Sequence, residues 1–351
     1  MVADIVSSTG QDVGGIVHFE HLNLEVPDLE QARIFYSEGL GLTLDPDTMG
    51  TQRGGLGVVW YNIGRQQFHI MKSNKGQNMP GNIHIVLPRL DLVHKQLEGL
   101  RGYFKGTKFN ITAADGANGG LTIHLTDPWG QGFVVHNSDE DFPYERGISR
   151  IALHCPPDNI AALAHFYRTV FQARVEEAQD GSVKVYLGPG IRLTIFPDPS
   201  LDSSRDSLLS LYDGWHIAIY VAPYSHVFNS INDMNANYLD HTFADKSPTL
   251  PTALQNRQFR FQDIFELPGG ARASHAAHAV PSTSGASLAE DAPAVNGSAN
   301  SSTAVNGQKH GRLLYRFQHE VRSMHHPRFL HPLYNRPPGA EPFVPNQNTT
   351  Y

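Results

Sequence analysis

The chain has 351 residues and a formal charge of −7. That length fits about two domains. The negative charge and the lack of a long basic run argue against a nucleic-acid partner, and no apolar stretch reaches the roughly 18 residues of a membrane helix. The single cysteine, Cys155, excludes an internal disulfide and a cysteine zinc knot, so any metal must be held by histidine or carboxylate.

The first element is Val17 to Val26. From Leu22 to Val26 apolar residues alternate with His21, Asn23 and Glu25, the pattern of a strand with one polar face. Pro27-Asp28 ends it, and Leu29 to Tyr36 has helical spacing, with Leu29, Ala32, Phe35 and Tyr36 on one face. Gly39-Leu40-Gly41-Leu42 closes the helix and opens the next strand. Val58–Ile63 and Gln66–Met71 read as a hairpin around Gly64-Arg65.

The same order then repeats. A second module has a strand at Asn82–Leu87, a helix at Asp91–Leu100, and strands at Leu121–Leu125 and Gly132–His136 joined by the turn Asp127-Pro128-Trp129-Gly130. Asp139 to Gly147 reads as a linker. A third module runs from Arg150-Ile151-Ala152-Leu153-His154-Cys155 through a helix at Ala161–Tyr167 to strands at Val183–Leu187 and Ile191–Phe196. The fourth opens at Trp215–Val221, continues with a helix near Tyr224–Met234 and a strand at Phe259–Ile264, and ends at Leu313–Arg322. Between its last two strands, residues 269–310 are rich in Ala, Ser, Gly and Asn, the composition of a disordered insertion. The expected domains are 16–138 and 148–336, each of two modules, with 337–351 as an extended tail.

His-x-x-Leu-x-Val-x-Asp from His21, the helix ending in Phe35-Tyr36, and Leu40-Gly41-Leu42 resemble the opening of a βαβββ module of the vicinal oxygen chelate superfamily. That superfamily includes glyoxalase I, extradiol dioxygenases and bleomycin-resistance proteins. The Asp127-Pro128-Trp129-Gly130 turn resembles the one before the superfamily's last strand. The resemblance implies an α+β fold of four βαβββ modules in two cupped, mostly antiparallel sheets with helices outside. It also implies a divalent metal in a cup, Fe2+, Mn2+ or Zn2+, with one ligand from the first and one from the last strand of each module.

Carried over by position, the pattern gives His21 and His69 in module one. Module two has His84 first, and its last-strand position falls on Val134, which cannot bind metal; His136 lies two residues on. Module three has Ile151 or Ala152 first and Thr194 last. Module four has His216, and Glu320 or His319, since a slip of one residue exchanges the faces. Adjacent pairing of modules follows the simpler chain path and is the expected one; it yields His21, His69 and His84. Crossed pairing of modules one and four yields the fuller set His21, His69, His216 and Glu320. Glu25 and Asn23 share a face with His21, and Glu25 is the candidate catalytic base. A lone histidine on a sheet face is more often structural than a ligand, so the weight rests on agreement across positions. The cluster His325, His326, His331 reads as a surface tail broken by Pro327 and Pro332.

The resemblance implies a metal-dependent enzyme acting on a small substrate with vicinal oxygens, either a glyoxalase-like lyase or isomerase or a ring-cleaving dioxygenase. The alternative is a non-catalytic protein that sequesters a small molecule in the same cup. Met1 to Gly15 lacks the basic start and apolar centre of a signal peptide, so the expected setting is cytoplasmic, as a monomer or homodimer.

Overall fold

The computed structural model describes residues 13–45, 57–116, 120–139, 141–239, 246–268 and 311–330. The insertion expected over 269–310 and the tail expected over 337–351 lie outside them, as does His331. No helix among the described residues is long and apolar enough to cross a membrane.

Module one supplies β1 (Ile16–Val26), α1 (Leu29–Arg33, continued by a π-helical turn over Ile34–Gly39), β2 (Thr43–Leu44), β3 (Val58–Ile63) and β4 (Gln66–Lys72). Asp28 caps α1 by accepting from the N–H groups of Glu30 and Gln31, as its position before the apolar spacing predicts. Module two supplies β5 (Gly81–Val86), α2 (Leu90–Gly99), β6 (Asn110–Asp115), β7 (Leu121–Thr126) and β8 (Gly132–His136). Module three supplies β9 (Gly147–Cys155), α3 (Ile160–Val170), β10 (Val175–Glu177), β11 (Val183–Gly188) and β12 (Ile191–Pro197). After α4 (Arg205–Ser210), module four supplies β13 (His216–Val221), α5 (Tyr224–Asp233), α6 (Leu250–Asn256), β14 (Gln258–Phe265) and β15 (Leu313–Ser323).

These strands form two mixed sheets of seven and eight strands, and most neighbours within them are antiparallel. The first runs β14-β15-β13-β1-β4-β3-β2 and the second β10-β11-β12-β9-β5-β8-β7-β6. Module one therefore pairs with module four, through β1 and β13, and module two with module three, through β5 and β9. Adjacent pairing, the expectation from the simplest chain path, is not what the sheets contain. All four first strands carry the same alternation, so nothing local chooses their neighbours. The choice is made by side chains that meet across the joined strands, such as Glu20 of β1 and Arg322 of β15, paired across 302 positions of sequence.

Each sheet turns one face to the helices and leaves the other polar. In β1, Leu22 and Leu24 are buried with the helices while His21 and Asn23 point to the opposite face. The helices lie against the apolar faces, and the two sheets share them. Phe35 and Tyr36 at the end of α1 pack on Phe68 of the first sheet and Phe133 of the second. Phe166 and Tyr167 of α3 reach Phe261 and His319 of the first sheet in the same way. One continuous apolar core results, flanked by two polar cups.

Candidate functional site

The cup of the first sheet collects charge. His21 of β1, His216 of β13 and Glu320 of β15 are buried, and one ligand atom from each lies within 4.8 Å of the others. His21 Nε2 stands 3.8 Å from Glu320 Oε2, and His216 Nε2 stands 3.6 Å from the same oxygen. In β15 it is Glu320 that faces the cup. His319 points into the core, where Tyr167 Oη meets its Nε2 at 2.9 Å, Phe261 stacks on the ring and Phe317 lies tilted against it. Burial pushes its pKa down to about 3.

A local irregularity sets the histidine. Strict alternation would send Glu20 to the apolar face with Leu22 and Leu24. The ladder between β1 and β13 shifts register between Phe19 and His21, a bulge that brings Glu20 beside the polar face. Glu20 Oε2 then lies 2.9 Å from His21 Nδ1. Burial alone would raise the Glu20 carboxyl; Arg322, His21 and Tyr220 outweigh it and hold it at about 2. An ionised carboxylate only accepts, so Nδ1 of His21 bears a proton, and in the neutral ring the lone pair is on Nε2. Among the described residues that Nε2 has no hydrogen-bond partner.

Glu320 is held differently. Arg260 of β14 pairs with its Oε2 and Arg322 with its Oε1. Burial would raise this carboxyl as well, and the two guanidinium groups hold it well below the usual range. Arg322 also binds Glu20, whose other oxygen accepts from Tyr220 Oη at 2.7 Å. His216 and His69 are kept neutral chiefly by burial, reinforced by the cations nearby.

His69 lies in this cup but outside the three-atom cluster. Its ring is sandwiched between His21, centroids 3.6 Å apart, and Trp60, 4.4 Å apart. Its Nε2 lies 3.0 Å from Gln67 Oε1. The placement follows an internal two-fold: Asn23 pairs with His69 as Ala218 pairs with Glu320, so the two last-strand positions match. Arg328, after β15, lies 4.3 Å over the Trp60 ring, and Phe329 packs on Tyr220, so the turn after the last strand crosses the rim of this cup.

His84 is not part of this site. It stands in the second sheet, so the set His21, His69, His84 is split between the sheets. The helix starts show why its position misleads. α1 begins at Leu29, eight residues after His21, and α5 at Tyr224, eight after His216. α2 begins at Leu90, eight after Asn82, so Asn82 corresponds to His21 and His84 to Asn23. Glu25 lies four residues along β1 from His21, roughly 13 Å at strand rise. It is half-buried, and its backbone N–H donates to Gln77 Oε1 at 2.9 Å. His325 and His326 lie in the turn after β15, outside the cluster. The sequence reading did not single out Glu20, Arg260 or Arg322. For Arg260 and Arg322 the available signal was their place on the same face as Glu320, with Arg260 set between Phe259 and Phe261.

The model of the Glyoxalase/Bleomycin resistance protein/Dioxygenase superfamily matches residues 18–135. No curated protein sequence matches the chain. Among solved structures, glyoxalase I from Zea mays is 12% identical with a TM-score of 0.42, covering 72% of this chain and 85% of that one. Lactoylglutathione lyase from Agrobacterium tumefaciens is 19% identical with a TM-score of 0.24, covering 33% of this chain and 90% of that one. Residues 18–135, the first two modules, are thus similar to the Glyoxalase/Bleomycin resistance protein/Dioxygenase superfamily.

Proposed function

We propose that the cup of the first sheet holds a divalent metal on His21, His216 and Glu320 and that the protein is an enzyme acting on a small substrate with two neighbouring oxygens. The observation that carries this reading is the buried lone pair of His21 Nε2, aimed at a cluster of one further imidazole and one carboxylate. Two histidines and one carboxylate form a donor set suited to ferrous iron, and Mn2+ and Zn2+ accept the same ligands. When bound, such an ion supplies Lewis acidity to oxygens placed on its open positions. The chain's own residues do the rest. Glu20 fixes the tautomer and ring angle of His21. His69 and Trp60 wall the cup with stacked rings. Arg260 and Arg322 hold the Glu320 charge in place, so a bound ion would draw on a carboxylate that is already paired with both.

The test is metal content by mass spectrometry on protein loaded with ferrous iron, manganese or zinc. About one ion per chain is expected, falling at least tenfold in His216→Ala. A chain that takes up no ion under any loading would sink the proposal. That result would leave the second reading, a cup that sequesters a small molecule without metal, which the pairing of both Glu320 oxygens with arginine favours.

A further inference from the structure

The second cup has the same frame and different chemistry. β5 and β9 pair His84 with Arg150 and Asn82 with Ala152, as β1 and β13 pair Asn23 with His216 and His21 with Ala218. Arg150 therefore corresponds to His216. Ala152 pairs with Thr194 as Ala218 pairs with Glu320, and His84 pairs with Val134 as Asn23 pairs with His69. Where the first cup has His21, His69, His216 and Glu320, the second has Asn82, Val134, Arg150 and Thr194. The carboxylate is gone and a cation stands in place of an imidazole.

Among the described residues that cation has no ion pair: Asp139, the carboxylate whose charge acts on it, is paired with Arg192 instead. Arg150 is half-buried, and its Nη2 donates to His84 Nδ1 at 2.8 Å. His136 Nε2 approaches the same nitrogen at 2.9 Å. Arginine can only donate, so His84 Nδ1 is the acceptor and the His84 proton sits on Nε2. Burial and the nearby cations hold His84 neutral, its pKa pushed down to about 2. The next cation, Arg192, is already spent: its Nη1 binds Asp141 at 2.7 Å and its Nη2 binds Asp139. Among the described residues Arg150 Nε, Arg192 Nε and Thr194 Oγ1 have no hydrogen-bond partner. All three can donate. A half-buried cation beside buried, unspent donors is stabilised by an acceptor with negative charge.

We propose that this second cup binds a small oxyanion, the carboxylate group of an organic acid, on Arg150, with the Thr194 hydroxyl as a further donor. The planar guanidinium matches a carboxylate in shape as well as charge. The site is independent of the metal reading, since it shares no residue with the first cup.

Calorimetric titration of the full chain with acetate, malonate and inorganic phosphate, against chloride at equal ionic strength, tests it. Saturable binding of acetate or malonate is expected, stronger than that of phosphate. It should weaken by about tenfold or more in Arg150→Met and by a smaller factor in Thr194→Val. His216→Ala, in the other cup, should leave it unchanged. If Arg150→Met fails to fold, the Thr194→Val titration and the shift of the His84 and His136 ring resonances on adding malonate to the unaltered chain decide. No saturable carboxylate binding, preference for phosphate, ring resonances that do not move, or binding that survives in folded Arg150→Met would overturn the proposal.

Discussion

At the scale of single residues, the first cup balances two buried carboxylates against two buried guanidinium groups. Glu20 and Glu320 face Arg322, and Glu320 also faces Arg260. Such a network contributes little against an apolar replacement but is costly to break from one side. Glu320→Gln in the presence of a chelator should therefore cost about 3–5 kcal/mol in urea unfolding, because Arg260 loses its carboxylate and Arg322 keeps only Glu20. A loss below about 1 kcal/mol would show that the arginines are compensated elsewhere. Buried histidines act on the same scale. Burial lowers His18 to about 4 and His84 to about 2. The unfolded chain takes up these protons below about 6.5, and the folded chain refuses them until far lower pH. Stability is complete above that pH and falls as pH drops, by about 1.4 kcal/mol per pH unit for each histidine. Urea midpoints measured from pH 7 to pH 5 should decline, and less steeply in His18→Asn; a flat profile would refute the assignment. His21, His69 and His216 came from the family pattern carried over by position, and period two left Glu320 and His319 as alternatives until the register of β15 put Glu320 on the cup face. Glu20 was hidden because a bulge breaks that period, and His84 was misplaced because its register depends on the helix that follows.

At the scale of elements, the first and last strands of each module and their helices could be read from alternation, helical spacing and turn residues. β6, Asn110–Asp115, could not: it is an exposed edge strand with one buried side chain, Ile111, so burial imposes no apolar pattern on it. The helices carry more than their own modules. Phe133 of β8 has its ring centroid 5.6 Å from Phe35 and 6.1 Å from Phe68, which joins the second sheet to the helix and sheet of the first. Phe133→Ala should cost about 3–5 kcal/mol. Unfolding should remain one transition, followed by far-UV and near-UV signals together, because both sheets share the damaged core. Two separated transitions would mean that the sheets are independent.

At the scale of the whole molecule, the pairing of modules was the feature that sequence could not decide. Local signals fix what each strand is and leave its partner open; the partner is set by contacts hundreds of residues apart. The result is nested: modules one and four enclose modules two and three in the chain, and the candidate metal site belongs to the outer pair. This order has a consequence during synthesis. β1 is made with one edge unpaired, and its partner β13 follows in the chain only after modules two and three. An open edge is a template for wrong partners, and pairing across so long a loop is slow. Modules two and three can meet while β1 still waits. Glu320 follows both inner modules in the chain, so the cup that holds His21, His216 and Glu320 closes only after those modules have been made.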